Sequence, residues 1–352
     1  MLLKICREPA PGLPWALYAK ANSTAVFFLR HCLVNILLLP LNFYVGTSAL
    51  ASNCLVLNID GKIREFFVDV LSSWITSGKY TRHEFNELVQ PAMESEIQIA
   101  SHDPATLALD IAHALAFRSG LGSSLFASHH SSFTAEDIKL FASFVFTRDN
   151  IAVLGTGISQ QTLSELVSKS LGGNLSTASS QTATPSKYYG GETRTAGQGG
   201  PETVFIGFGS AGAPIADIAV LAAHLSPEPS VKWSKGASAL AQALPEGASV
   251  QSVYLPYSDA SLFGLLIQGK TSAQVTEAGK AVVSALKSAV ASGGVKGDDL
   301  KKAISKAKFT AASAAESRQS LVSVLGPKVC QYHLPFPTND VLLRLLLVRK
   351  PL

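Results

Sequence analysis

Acidic residues are absent from positions 9 to 59. Lys4, Arg7, Lys20 and Arg30 make this end of the chain basic. An acid-poor, basic start suits a mitochondrial transit peptide. Charge is scarce throughout: 15% of the 352 residues are charged and 47% are apolar. That composition excludes global disorder and supplies large cores, in a chain long enough for two or three domains. The formal net charge of +4 is too small to argue for nucleic acid.

Cysteine is also scarce. Cys6, Cys32, Cys54 and Cys330 are scattered and form no C-x-x-C pair. This favours buried or incidental thiols in a reducing compartment over a disulfide framework or a zinc site. An uninterrupted membrane span is missing too. Thr24 to Leu50 is apolar, but Arg30 and His31 lie inside it and Pro40 breaks it. The clean piece Cys32 to Leu39 falls far short of the ~20 residues a bilayer needs.

Catalytic patterns are missing as well. No two of the eight histidines lie four apart with a glutamate between them, as a helical zinc site requires. His83 with Glu84 and Glu87 comes nearest, and reads as a solvated first helical turn. His129 and His130 sit among Ser128 to Ser132 and read as a loop, where adjacency to serine is not triad geometry. No G-x-S-x-G elbow is present, and no Walker A phosphate loop is expected. No catalytic, cofactor-binding or metal-binding residue is therefore assigned, and no cofactor is expected. Lys301, Lys302, Lys306 and Lys308 recur at helical spacing. With only Phe309 near them they read as a solvated helix face, not a nucleic-acid surface.

What is present reads as mixed helix and strand. Leu55 to Ile59 predicts a strand, ended by Asp60-Gly61. Ile63, Phe66, Phe67, Val70, Leu71, Trp74 and Ile75 recur on one helical face. Thr81 with Glu84 forms a capping box for a helix reaching about Ala100. Asp103-Pro104 opens another helix, as N-cap and first-turn proline. A further helix starts at Thr134 with Asp137. Ile151 to Leu154 predicts a strand and Ser159 to Leu171 a helix. Residues 172–200 are rich in Gly, Ser, Thr and Gln and read as a linker. Beyond it come a strand over Thr203 to Phe208 and a helix from Pro214 to about Leu225. Two strands, Val250 to Leu255 and Leu262 to Gln268, follow, joined by the turn Pro256-Tyr257-Ser258-Asp259. A helix from Ser272 to Ala291 is stopped by Gly293-Gly294. Asp298 caps a last helix to about Val324.

The two sides of the linker share an order: strand, helix, short break, long helix. The breaks Gly78-Lys79-Tyr80-Thr81 and Gly294-Val295-Lys296-Gly297 lie about 216 residues apart, an offset taken from spacing alone. This implies a duplicated α+β unit, with residues 1–47 atypical, 48–171 a partial first domain, 172–200 the linker, 201–325 the second domain and 326–352 a divergent tail.

The sharpest nominal motif is Gly207-Phe208-Gly209-Ser210-Ala211-Gly212, a G-x-G-x-x-G after a strand. A nucleotide-binding oxidoreductase would use it to bring backbone amides to a pyrophosphate. No second parallel strand ending in an acidic residue follows, so the alternative is a tight turn that needs small residues.

Three strings carry a family resemblance: Gly78-Lys79-Tyr80-Thr81 through His83-Glu84-Phe85, Tyr188 to Arg194, and Val231-Lys232-Trp233-Ser234 with Gly236. They resemble the pitrilysin-like (M16) peptidase superfamily, and within it the fungal core protein 2 family of the mitochondrial bc1 complex (complex III). The resemblance spans about residues 48 to 325. It implies two M16-type α/β halves around a cavity, the first half incomplete. It also implies a non-catalytic respiratory-chain subunit, peripheral to the inner mitochondrial membrane on its matrix side. The implied partners are core protein 1, cytochrome b and cytochrome c1. Active relatives carry a zinc motif, H-x-x-E-H; this sequence holds no such string, so no ligand is carried over. A processing-peptidase-like subunit that binds presequences beside a zinc-bearing M16-type partner is the alternative. The tail after Gly326 departs from the polar, acidic close the resemblance implies, and both ends read as an altered gene model or splice form.

Overall fold

The computed structural model describes residues 2–6, 43–48, 52–57, 64–126, 134–148, 151–154, 158–173, 175, 185–197, 199–228, 238–257, 259–291 and 294–316. In chain order these form β1 (Leu2–Cys6), β2 (Phe43–Ser48), β3 (Ser52–Leu57), α1 (Arg64–Ser77), α2 (Arg82–Glu84), a π turn (Phe85–Val89), α3 (Gln90–Ser101), α4 (Pro104–Phe117), α5 (Ala135–Val145), β4 (Ile151–Leu154) and α6 (Gln160–Ser170). There follow β5 (Glu202–Ala211), α7 (Ala216–Leu225), α8 (Ala239–Ala243), β6 (Ala248–Pro256), β7 (Ala260–Gly269), α9 (Ser272–Val290) and α10 (Gly297–Glu316). They divide into two compact units. Unit 1 holds the described residues up to Gln98 and those between Ser123 and Thr184. Unit 2 holds Ile99 to Gly122 and Pro185 to Glu316.

The helix starts follow local chemistry. Thr81 accepts from the Glu84 N–H while the Glu84 carboxylate accepts from the Thr81 N–H. Thr134 and Asp137 form the same reciprocal box on α5. The Asp103 carboxylate accepts from the N–H groups of Ala105 and Thr106, and Pro104 takes the first turn. Each satisfies donors that a helix start leaves unpaired. At α10 the expectation needs correcting. The helix begins at Gly297, so Asp298 lies within its first turn and is not the cap.

Unit 1 has a four-stranded sheet in the order β2-β3-β1-β4, antiparallel throughout. Residues 1–47 stood outside the expected first domain as an atypical segment, yet β1 lies wholly within them and β2 almost so. Runs such as Leu-Leu-Lys-Ile-Cys and Phe-Tyr-Val have strand propensity. Read as part of an apolar leader, that signal was hidden. The expected strand at 55–59 is shifted to 52–57 by its hairpin with β2. Helical packing in this unit centres on Ile75, Ala142, Phe146 and Leu171, with Ile151 and Val153 of β4 against them. A second cluster joins Phe85, Val89, Ala135 and Ile138.

Unit 2 has a three-stranded antiparallel sheet, β5-β7-β6. β7 is central and buried almost end to end, so it reads as a continuous apolar run. On one face α9 packs Val275, Ala278 and Val282 against Val250, Leu265 and Ile267. Beside it α7 sets Ala222 and Leu225 on Phe263. α4 packs against β5 and β7 as well, although in sequence it lies within the expected first domain, before the expected linker. Among the described residues no helix is long and apolar enough to cross a membrane.

Candidate functional site

Among the described residues of unit 2, buried polar groups converge where α4 meets the β6–β7 turn. His113 and Phe117 are one helical turn apart and both buried. His113 Nδ1 lies 2.6 Å from the Leu109 carbonyl, which accepts, so the proton sits on Nδ1. Nε2 is then the acceptor, and the Tyr257 hydroxyl donates to it at 2.6 Å. The Tyr257 ring stands edge-on to His113 and to Phe117, with centroids 6.0 and 6.1 Å away. Burial holds the imidazole below its usual range, against opposing pulls from the Leu109 carbonyl and Asp110. Burial also pushes the Tyr257 phenol up. Both nitrogens are already used. This histidine orients a tyrosine and has no lone pair left for a metal or a substrate proton.

Residues 185–197, from the expected linker, are fixed along the same region. The Tyr189 N–H donates to the Ala116 carbonyl at 2.8 Å, and the Ser186 N–H to the Asp259 carboxylate at 2.6 Å. The Arg118 guanidinium lies 4.4 Å from the Tyr189 ring centroid, a cation–π contact at the end of α4. Arg118 reaches it from a positive φ of 59°.

The glycine motif is explained by aromatic rings. Gly207 to Ala211 lie on β5, paired residue by residue with β7, so no loop opens at a helix N-terminus. Only Gly212, at φ +103°, is in the turn, and α7 starts four residues later. A Cβ on Gly207 or on its cross-strand partner Gly264 would fall inside the Phe205 ring. A Cβ on Gly209 would fall inside the Tyr188 ring. The dinucleotide reading is therefore corrected: these glycines leave room for the Phe205 and Tyr188 rings. A phosphate-loop string does occur, at Gly264-Leu265-Leu266-Ile267-Gln268-Gly269-Lys270-Thr271. Its first six residues are strand β7, with Leu265 and Ile267 fully buried, so no loop is available to wrap a phosphate.

Other candidates are dispersed. His83 and Glu87 form an exposed pair, Nδ1 to Oε1 2.9 Å, on the first turns after Thr81. Among the described residues no three His, Cys, Asp or Glu side chains converge as metal ligands do. His129, His130, Ser128, Ser132 and the string Val231 to Ser234 lie outside the described residues. Lys301 and Lys302 pair with Asp298 and Asp299 at 3.4 and 3.3 Å on the exposed face. Lys306 departs from the expected solvated stripe. Its Nζ donates to the carbonyls of Ser226 and Glu228, tying α10 to the end of α7, and burial lowers its pKa. The residues that sequence reasoning missed are His113 and Tyr257. The only signal was a lone histidine on an apolar helix face and a tyrosine in a turn.

Comparison with known proteins agrees with this picture. Residues 132–307, half of the chain, match the family model described as the peptidase M16 inactive domain. The chain is 41% identical over 270 residues to mitochondrial cytochrome b-c1 complex subunit 2 of Cryptococcus neoformans, covering 75% of this chain and 62% of that protein. It is 40% identical to the Neurospora crassa protein of the same name over 71% and 56% of the two chains. For the Yarrowia lipolytica protein the identity is 34%, over 74% and 62%. The chain thus spans about 56–62% of the length of these relatives. A solved structure of complex III2 from Candida albicans, with Inz-5 bound, superposes at a TM-score of 0.73 and 11% identity, covering 98% of this chain and 83% of that one. That likeness concerns the fold, a mixed α/β architecture. The chain belongs to the peptidase M16 inactive domain family, within the pitrilysin-like superfamily, and is similar to the fungal cytochrome b-c1 complex subunit 2 proteins.

Proposed function

We propose that this chain is a non-catalytic structural subunit of mitochondrial ubiquinol–cytochrome c reductase, complex III. The observation that carries the reading is the 41% identity over 270 residues to a named subunit 2 of that complex. The sequence supports it, for the zinc motif of active M16 peptidases is not spelled in it. The geometry supports it too: His113, the buried histidine of unit 2, has both ring nitrogens engaged in packing. In this role the chain lies in the mitochondrion, peripheral to the inner membrane on the matrix side. Its partners are core protein 1, cytochrome b and cytochrome c1. The two units are duplicated halves, since β1, β3 and β2 pair in the same order and sense as β5, β7 and β6.

The test is co-purification. A tagged chain is expressed in its own type of cell, mitochondria are solubilised in mild detergent, and complexes are separated on a native gel. The chain is expected to migrate with cytochromes b and c1. Its clean absence from every band containing them overturns the proposal.

A further inference from the structure

Residues 185–197 form a strap over unit 2. The Ser186 N–H donates to the Asp259 carboxylate of the β6–β7 turn, and the Tyr188 ring lies against Gly209 of β5. The Tyr189 N–H then donates to the Ala116 carbonyl in the last turn of α4. From there the chain returns along the helix. A Cβ on Gly191 would stand 3.3 Å from Leu115, and one on Gly200 2.9 Å from Pro104 at the helix start. Those two backbone hydrogen bonds and the two tyrosine rings hold the strap, whose residues 191–197 are exposed.

The helix end beneath the strap is strained. Arg118 has a φ of 59° and a ψ of −67°, and the Ser119 N–H donates to the Phe117 carbonyl at 2.7 Å. This is the positive-φ γ-turn, the rare and strained hand. Helices that end on a positive φ mostly place glycine there, because it has no Cβ to collide with the backbone. For arginine, such a region disfavours the turn by roughly 5- to 150-fold. The guanidinium lies 4.4 Å from the Tyr189 ring centroid. An exposed contact of that kind offsets only about two- to fivefold. The rest of the hold on this turn comes through the Tyr189–Ala116 bond and the seat of Tyr188. Strap and helix end are therefore coupled. Once Tyr189 lifts, the Ala116 carbonyl loses that donor and Arg118 loses the ring it is aimed at.

We propose that the strap and the last turn of α4 form one latch, with Tyr189 as its catch and the Arg118 turn as its spring. The strap lifts while the sheet of unit 2 stays folded. In the same event Arg118 returns to negative φ, and Arg118 and Ser119 release the carbonyls of Ala114 and Phe117. Unwinding stops at Phe117, which is buried and stands edge-on to Tyr257. The latch gates a segment. Lys187 lies between the two anchored amides, so a trypsin-like protease reaches its peptide bond from the lifted state. All of these groups belong to unit 2, and the test reads no respiratory complex, so the latch stands or falls apart from the proposed function.

Hydrogen exchange of the full chain, read at single amides by fragmentation mass spectrometry and corrected for intrinsic rates, tests this. In the unmodified chain the amides of Tyr189, Arg118 and Ser119 are expected to share one opening constant, with the amides of β7 exchanging more slowly. Tyr189→Ala is expected to raise exchange at all three by about fivefold, and trypsin cleavage after Lys187 by the same factor. Arg118→Ala and Arg118→Gly both lose the guanidinium, but only glycine relieves the turn. Arg118→Gly is therefore expected to exchange about fivefold more slowly than Arg118→Ala at the Tyr189 amide. Unequal opening constants in the unmodified chain overturn the latch, whether or not any variant folds. So does faster exchange at position 189 of Tyr189→Ala with Arg118 and Ser119 unchanged, or equal exchange in the two Arg118 variants. Cleavage after Lys187 that ignores Tyr189→Ala overturns the gating.

Discussion

Tyr257 donates its phenolic hydrogen to His113 Nε2 across 144 positions of sequence, joining a helix to a hairpin turn of unit 2. Tyr257→Phe keeps the ring contacts and leaves a buried imidazole nitrogen without its donor. The expected cost is about 1–3 kcal/mol of stability, read as a lower urea midpoint with an unchanged slope.

The same pair gives a pH dependence. Burial lowers the His113 pKa in the folded chain relative to 6.5, so the unfolded chain binds the proton first. The contribution is therefore complete above about pH 6.5 and is lost as pH falls below it. His113→Gln is expected to flatten the fall in urea midpoint between about pH 7 and pH 5. An equally steep fall in the variant would show that other groups set it.

The glycines of β5 separate two kinds of constraint. Gly209→Val drives a side chain into the Tyr188 ring. The expected loss is about 2 kcal/mol or more, together with faster protease cleavage in residues 185–197. Gly212 has open space around it but a φ of +103°. Gly212→Ala is expected to cost about 1–2 kcal/mol through backbone strain alone, with no change in that cleavage.

The capping boxes offer a local test. Thr134→Ala removes the side chain that accepts from the Asp137 N–H at the start of α5. Ile138 and Phe141 of that helix are in the core, so the loss of about 1 kcal/mol is expected in global thermal unfolding and not only as fraying.

Local chemistry was the legible part of this fold. Thr81, Asp103, Thr134 and Ser159 announce their helices because a cap involves neighbours three residues apart. The β6–β7 hairpin was legible through Pro256 to Asp259, and the belonging to an M16-type family through a few short strings. Long-range partners were not legible. Gly207 and Gly209 spell a nucleotide motif until Phe205 and Tyr188 are seen resting on them. Lys306 looks like its solvated neighbours until α10 is seen beside α7. The His113–Tyr257 pair left no trace in spacing, since nothing in either neighbourhood specifies a partner 144 positions away.

The placement of α4 in unit 2 has a consequence for synthesis. The ribosome delivers His113 and Phe117 well before the β6–β7 turn that covers them. At typical elongation rates the interval is roughly 7–30 s. Throughout it α4 has an apolar face and no sheet to lay it on. Closing so long a loop is also slow on entropic grounds. The nascent chain therefore waits with this helix uncovered, and a chaperone that holds apolar helices during translation gains its window between the emergence of residue 117 and that of residue 269.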